Sequence, residues 1–106
     1  MTWNELACEV KKAKLIEMRG QEDNYLEVVV AVADLDPVTR LFNSYFGGPF
    51  KSMGELSSPE AEMYARPFGG VQTGQMLYIR KMEDLVHGAL LWPWSNGSSV
   101  TVKIFC

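Results

Sequence analysis

Apolar side chains recur at two different periods along this chain, and each change of period marks an element. Trp3, Leu6, Ala7 and Val10 stand three and four apart, the spacing of one helix face. Thr2 and Glu5 form a capping box at its start, each side chain placed to accept a backbone N–H. The period breaks at Leu15-Ile16. A helix to about Lys12 and a strand from Ala13 to Arg19 are therefore expected, with one long helix ending at Gly20 as the competing reading. Gly20 to Asn24 is polar and turn-like, which would join that strand to the next as a hairpin.

Tyr25 to Ala33 is valine-rich and apolar almost throughout, as suits a strand covered on both faces. Asp34 or Asp36 is placed to cap a following helix, with Pro37 at its first position. Leu41, Phe42, Tyr45 and Phe46 form its apolar face, and Gly47 is the expected left-handed stop. Ser57 or Ser58, followed by Pro59, Glu60 and Glu62, opens a short helix that ends near Arg66. Gln75 to Arg80 reads as a strand and Met82 to His87 as a helical turn. Ala89–Trp94 and Ser99–Phe105 flank Asn96-Gly97, a hairpin signal because both residues tolerate positive φ. Pro93 places the first of these strands at a sheet edge. The elements predict an α+β domain: a mainly antiparallel sheet of four or five strands, with two or three helices packed on one face.

Length and composition narrow the function classes. The 106 residues fit a single domain over residues 1–106. With 47% hydrophobic residues and a net charge of −3, the chain can build a core, and disorder is not expected. Net acidity argues against nucleic acid, which needs cations to displace phosphate counterions. Lys11, Lys12 and Lys14, the one basic cluster, read as a solvated face. The first residues lack a basic stretch followed by an apolar one, so no signal peptide is expected. No apolar run approaches the ~20 residues that span a bilayer. Cys8 and Cys106 have no metal-like spacing and form no disulfide framework. A cytoplasmic protein without membrane contact is the expectation.

Few residues carry chemistry. His87 is the only histidine, which leaves a classical triad little support. Gly69–Gly74 lacks the lysine and the spacing of a phosphate-binding loop. A divalent metal would need Glu27 and His87 together with a further carboxylate. Glu27 is the one charge in an otherwise apolar strand, so it either faces solvent near the strand end or lies in a pocket floor, where it must be paired or ligated. Trp92, Trp94, Tyr78 and Phe42 are the candidates for an aromatic-lined ligand site, and the glycine-rich stretch from Pro49 to Gly74 is a candidate functional loop.

Val32-Ala33-Asp34-Leu35-Asp36, Leu41-Phe42 and Phe46-Gly47-Gly48 resemble the opening strand and helix of the vicinal oxygen chelate superfamily, which includes glyoxalases, dioxygenases and bleomycin-resistance proteins. The match covers residues 25–48. The resemblance implies a βαβββ module whose curved sheet cups a metal or a small ligand, with two modules completing the cup. Glu27 then stands near the position of the first metal ligand, but one histidine cannot supply the usual pair. The leading expectation is a non-catalytic domain that binds a small apolar or aromatic ligand without a cofactor, as a homodimer. The alternatives are a protein-interaction or regulatory domain without a pocket, and a metal-dependent lyase or dioxygenase-like enzyme.

Overall fold

The computed structural model describes all 106 residues. Helix α1 (Trp3–Lys11) is followed by the strands β1 (Leu15–Glu22) and β2 (Tyr25–Ala31). A 3-10 turn over Val32–Asp34 leads into α2 (Asp36–Phe46). After an irregular stretch come α3 (Pro59–Ala65) and a second 3-10 turn over Arg66–Phe68. The strands β3 (Met76–Met82), β4 (Leu85–Pro93) and β5 (Ser99–Phe105) close the chain. All pairings are antiparallel, in the order β1-β2-β5-β4-β3. The fold is α+β, and the succession β2, α2, α3, β3, β4, β5 contains a strand, helix and three-strand order with α3 added.

Both faces of the sheet are covered. Trp3, Leu6, Ala7 and Val10 of α1 and Val38, Phe42 and Tyr45 of α2 pack on one face, against alternate residues of β2 to β5. Ala61 and Ala65 of α3 pack on the other, with Val71, Leu77, Leu90 and Phe105. Two helices thus share a face, and the third lies opposite. This explains the continuous apolar run of β2: Leu26, Val28, Val29 and Val30 are all buried, odd and even positions alike.

The capping box of α1 forms as the sequence specifies, with Thr2 Oγ1 accepting from Glu5 N and Glu5 accepting from Thr2 N. Ser58 caps α3 by accepting from Ala61 N. Gly47 ends α2 at φ 83°, a conformation that L side chains adopt poorly. Neither Asp34 nor Asp36 caps α2. The chain enters from the 3-10 turn with Leu35 already helical, and Leu35 O accepts from Val38 N and Thr39 N.

Two other expectations are corrected. Met82–His87 is no helical turn: Met82 pairs with Leu85 across Glu83-Asp84, the tip of the β3–β4 hairpin. Strand pairing satisfies backbone groups there that one isolated turn would leave open. β4 is an inner strand and β5 the central one. β3 begins at Met76, opposite Leu91, so it does not reach Pro93, and the proline needs no outer edge. The expected Asn96-Gly97 hairpin does join β4 to β5, with Gly97 at φ 73°; Gly97 N bonds Trp94 O, and Trp94 N bonds Ser99 O. Because β5 is central, Ile104 and Phe105 are core residues and offer no apolar edge for a second copy.

The glycine-rich stretch guards the outer edge of β3. Phe50 N and Lys51 N both donate to Leu77 O, and Leu77 N donates to Lys51 O. Lys51 is buried, and its ammonium donates to Ser52 O, Thr73 O and Gln75 O at 3.1, 2.9 and 2.7 Å. All three donors are satisfied, as burial of a charge requires. Burial holds this amine below the usual lysine range.

Candidate functional site

At the last turn of α2, the β3–β4 hairpin carries polar residues on the face that is apolar elsewhere. Along β3 the positions facing α1 and α2 are Met76, Tyr78, Arg80 and Met82; along β4 they are Leu85, His87, Ala89 and Leu91. Register places Arg80 directly opposite His87, and cross-strand pairs of this kind hold their Cβ atoms about 4.5–5.5 Å apart. Tyr45, in the last turn of α2, reaches over to His87. Trp3, in the first turn of α1, forms the other wall. Together with Met82, Leu85 and the turn Glu83-Asp84 they line an open groove of about 810 Å³. A smaller hollow of about 440 Å³ adjoins it and shares Tyr45 and Arg80.

The polar groups form a chain. Tyr45 Oη lies 2.6 Å from His87 Nδ1, and the two rings are parallel within 4°. The Arg80 guanidinium stands 4.8 Å from the centre of the Tyr45 ring, within cation–π range. Burial pushes the Tyr45 hydroxyl up from its ordinary value, and Arg80 opposes that shift. Tyr45 therefore keeps its proton at neutral pH. The direction of the Tyr45–His87 hydrogen bond follows the His87 tautomer: the hydroxyl donates when Nδ1 is bare and accepts when Nδ1 carries the proton. Burial, then the charge of Arg80, holds His87 below the usual histidine range, so the ring is neutral at pH 7.

Hydrogen-bonding capacity here is left unspent. The ion pairs Lys12–Glu9, Arg19–Glu17 and Lys81–Glu60 do not include Arg80. His87 bonds only Tyr45. Trp3 Nε1 is buried without a partner, although buried polar atoms in folded proteins almost always have one.

The expected aromatic site is divided by the sheet. Phe42 and Tyr78 do meet, with ring centres 5.4 Å apart, but both are core residues at 0% and 2% exposure. The Tyr78 hydroxyl donates to Asn43 Oδ1 at 3.3 Å. Trp92 and Trp94 lie on the opposite face. The Lys103 ammonium sits 3.5 Å from the Trp92 ring centre and donates to Phe68 O. Trp94 Nε1 donates to Thr101 Oγ1 at 2.8 Å, and Arg19 stands over its ring. No single ligand could touch all four. The reason is strand parity: positions 92 and 94 share one face, while Tyr78 pairs with Ala89 on the other.

Glu27 and His87 are likewise on opposite faces and cannot ligate one ion. Glu27 is half-buried, accepts from Tyr25 Oη at 2.6 Å, and stands across from Lys103. It is neither at a free strand end nor in a pocket floor. His87 belongs to the groove. Arg80, Tyr45 and Trp3 are the site residues the sequence reading missed. One signal was present: in Gln75–Arg80 a charge occupies the same parity as Met76 and Tyr78, the core-facing side.

His87 makes acid sensitivity testable. Its folded-state pKa lies below its unfolded value, so the unfolded chain takes up the proton first as pH falls. Its contribution is complete above about pH 6.5 and is lost as pH drops toward the folded pKa, at no more than about 1.4 kcal/mol per pH unit. Urea unfolding at pH 7.5 and 5.5 should show this loss in the native chain and a flatter profile in His87→Asn. Parallel profiles for the two would show that His87 titrates alike in both states.

Comparison with protein-family models, with characterised proteins and with solved structures returned no match. No helix is long and apolar enough to cross a membrane.

Proposed function

We propose that this chain is a small-molecule-binding domain whose ligand occupies the groove between the first turn of α1, the end of α2 and the β3–β4 hairpin. The observation that carries the reading is the combination of walls. Trp3, Met82 and Leu85 supply apolar surface, beside His87 and an Arg80 guanidinium that no carboxylate of the protein neutralises. Clefts that pair apolar walls with a few convergent polar groups are where small ligands bind. The aromatic lining expected from the sequence is thereby relocated from Phe42, Tyr78, Trp92 and Trp94 to Trp3 and Tyr45. One copy of the chain builds the whole groove; the expected self-association is read separately by light scattering.

The test is a screen of small aromatic fragments, neutral and charged, by amide chemical-shift mapping on labelled protein. Binders should move the resonances of residues 1–3, 45 and 80–87, and leave those around Trp92 and Trp94 unmoved. A screen in which no fragment moves the groove residues would overturn the reading. A second reading rests on Phe50, Met53, Leu56 and Met63, which are exposed within one short stretch of the chain. Exposed apolar clusters mark docking surfaces, and a partner covering this one would slow hydrogen exchange in residues 50–64 and leave the groove untouched.

A further inference from the structure

We infer that the groove's ligand is a monocarboxylic acid with an apolar body, its carboxylate held by Arg80 and His87 Nε2 and its body laid against Trp3, Met82 and Leu85. This rests on the reading of the groove as a ligand site.

The chemistry of the unspent groups sets the ligand class. Arg80 offers guanidinium N–H groups that no ion pair takes up, and His87, in the tautomer that accepts the Tyr45 proton at Nδ1, offers Nε2–H. Both are donors, while the Trp3 Nε1–H beside them is buried out of a ligand's direct reach. In that tautomer the ring acceptor is engaged, His87 Nδ1 taking the Tyr45 proton, and the free acceptors of the groove are the carboxylates of Glu83 and Asp84 at the hairpin tip. A ligand group entering between Arg80 and His87 is therefore met by donors and must bring acceptors. A planar fork of donors facing a planar group matches a carboxylate in geometry as well as in charge.

Charge balance limits the ligand to one negative charge at that end. Among the groove's side chains Arg80 is the cation that no ion pair engages, whereas Lys81 is tied to Glu60 at 2.9 Å. Glu83 and Asp84 line the same groove at the exposed hairpin tip. They would repel a second charge, so a phosphate dianion fits poorly. The carbonyl end of α2, with Ser44, Phe46 and Gly47 beside Arg80, engages the guanidinium only through a partial charge. The apolar wall opposite requires a body that gains from leaving water, as an aryl or alkyl chain does.

The test uses the full chain and three probes of one shape: 4-phenylbutyrate, 4-phenylbutyramide and 4-phenylbutylamine, titrated with chemical-shift mapping. The acid is expected to bind in the groove at least about tenfold more tightly than the amide, the usual scale for a hydrogen bond to a charged group. Arg80→Gln should remove that preference. If this variant does not fold, the comparison of the three probes on the native chain decides alone. Equal binding of acid and amide, or preference for the amine, overturns the carboxylate assignment and leaves the ligand site standing. Absence of any shift in the groove with all three overturns the assignment, and if the fragment screen is also negative, the site falls with it.

Discussion

Phe42→Ala should cost about 3–5 kcal/mol, the range for deleting a buried aromatic ring. Phe42 has no exposed surface. Its ring packs edge-on against Phe46 and tilted against Tyr78, at 5.8 and 5.4 Å between centres. It is the point where α2 is fastened to the sheet, with Val38 and Tyr45 on either side along the same helix face. Against a typical domain stability of about 5–15 kcal/mol, this is a fall in Tm of more than ~10 °C. Calorimetry or urea unfolding would read it. The same variant separates two roles for Phe42. A ligand contact would lose affinity and keep stability; a core residue loses stability. A cost below about 1 kcal/mol would contradict the core assignment.

Gly88→Ala should cost about 2–3 kcal/mol although it adds a single carbon. Gly88 lies inside β4, with Ile79 on one side and Phe105 on the other. A Cβ built there lands on Phe105 Cζ and stands 2.5 Å from its Cε2. The Phe105 ring cannot swing away, because Phe68 stacks on it at 3.9 Å and Tyr25 stacks on Phe68. Inserting volume into such a site forces shifts of this energetic scale. Gly88→Ala combined with Phe105→Leu should cost less than the sum of the two single variants, because the shared clash is removed. Additive costs in urea unfolding would show that the ring is not what excludes the methyl group.

These two positions mark the boundary of what the chain reveals locally. Phe42 is legible as apolar from its helical spacing, yet its place in the closed core depends on α1 and β3 meeting it. Gly88 interrupts an apolar run and helps to hide the hairpin, so the segment before it reads as a helical turn. Only the ring of Phe105, brought alongside by the β4–β5 pairing, accounts for the glycine. The candidate site shows the same division. His87 stands out by being the only histidine. Arg80 and Tyr45 lie far from it in sequence and gain meaning only through the strand register and the end point of α2.

The sequence by itself determined the elements whose signals are local: the capping box of α1, the buried run of β2, the proline start and glycine stop of α2, the serine cap of α3 and the alternation of β5. Each depends on interactions among residues a few positions apart, so the chain specifies it without reference to distant partners. Tertiary structure alone decided the strand order, the placement of α3 opposite α1 and α2, and hence which side chains share a face. Since side chains alternate along a strand, a pairing shift of one residue exchanges the two faces. That is why Phe42 and Tyr78 are parted from Trp92 and Trp94, why Glu27 is parted from His87, and why Arg80, His87 and Tyr45 come together at the last turn of α2.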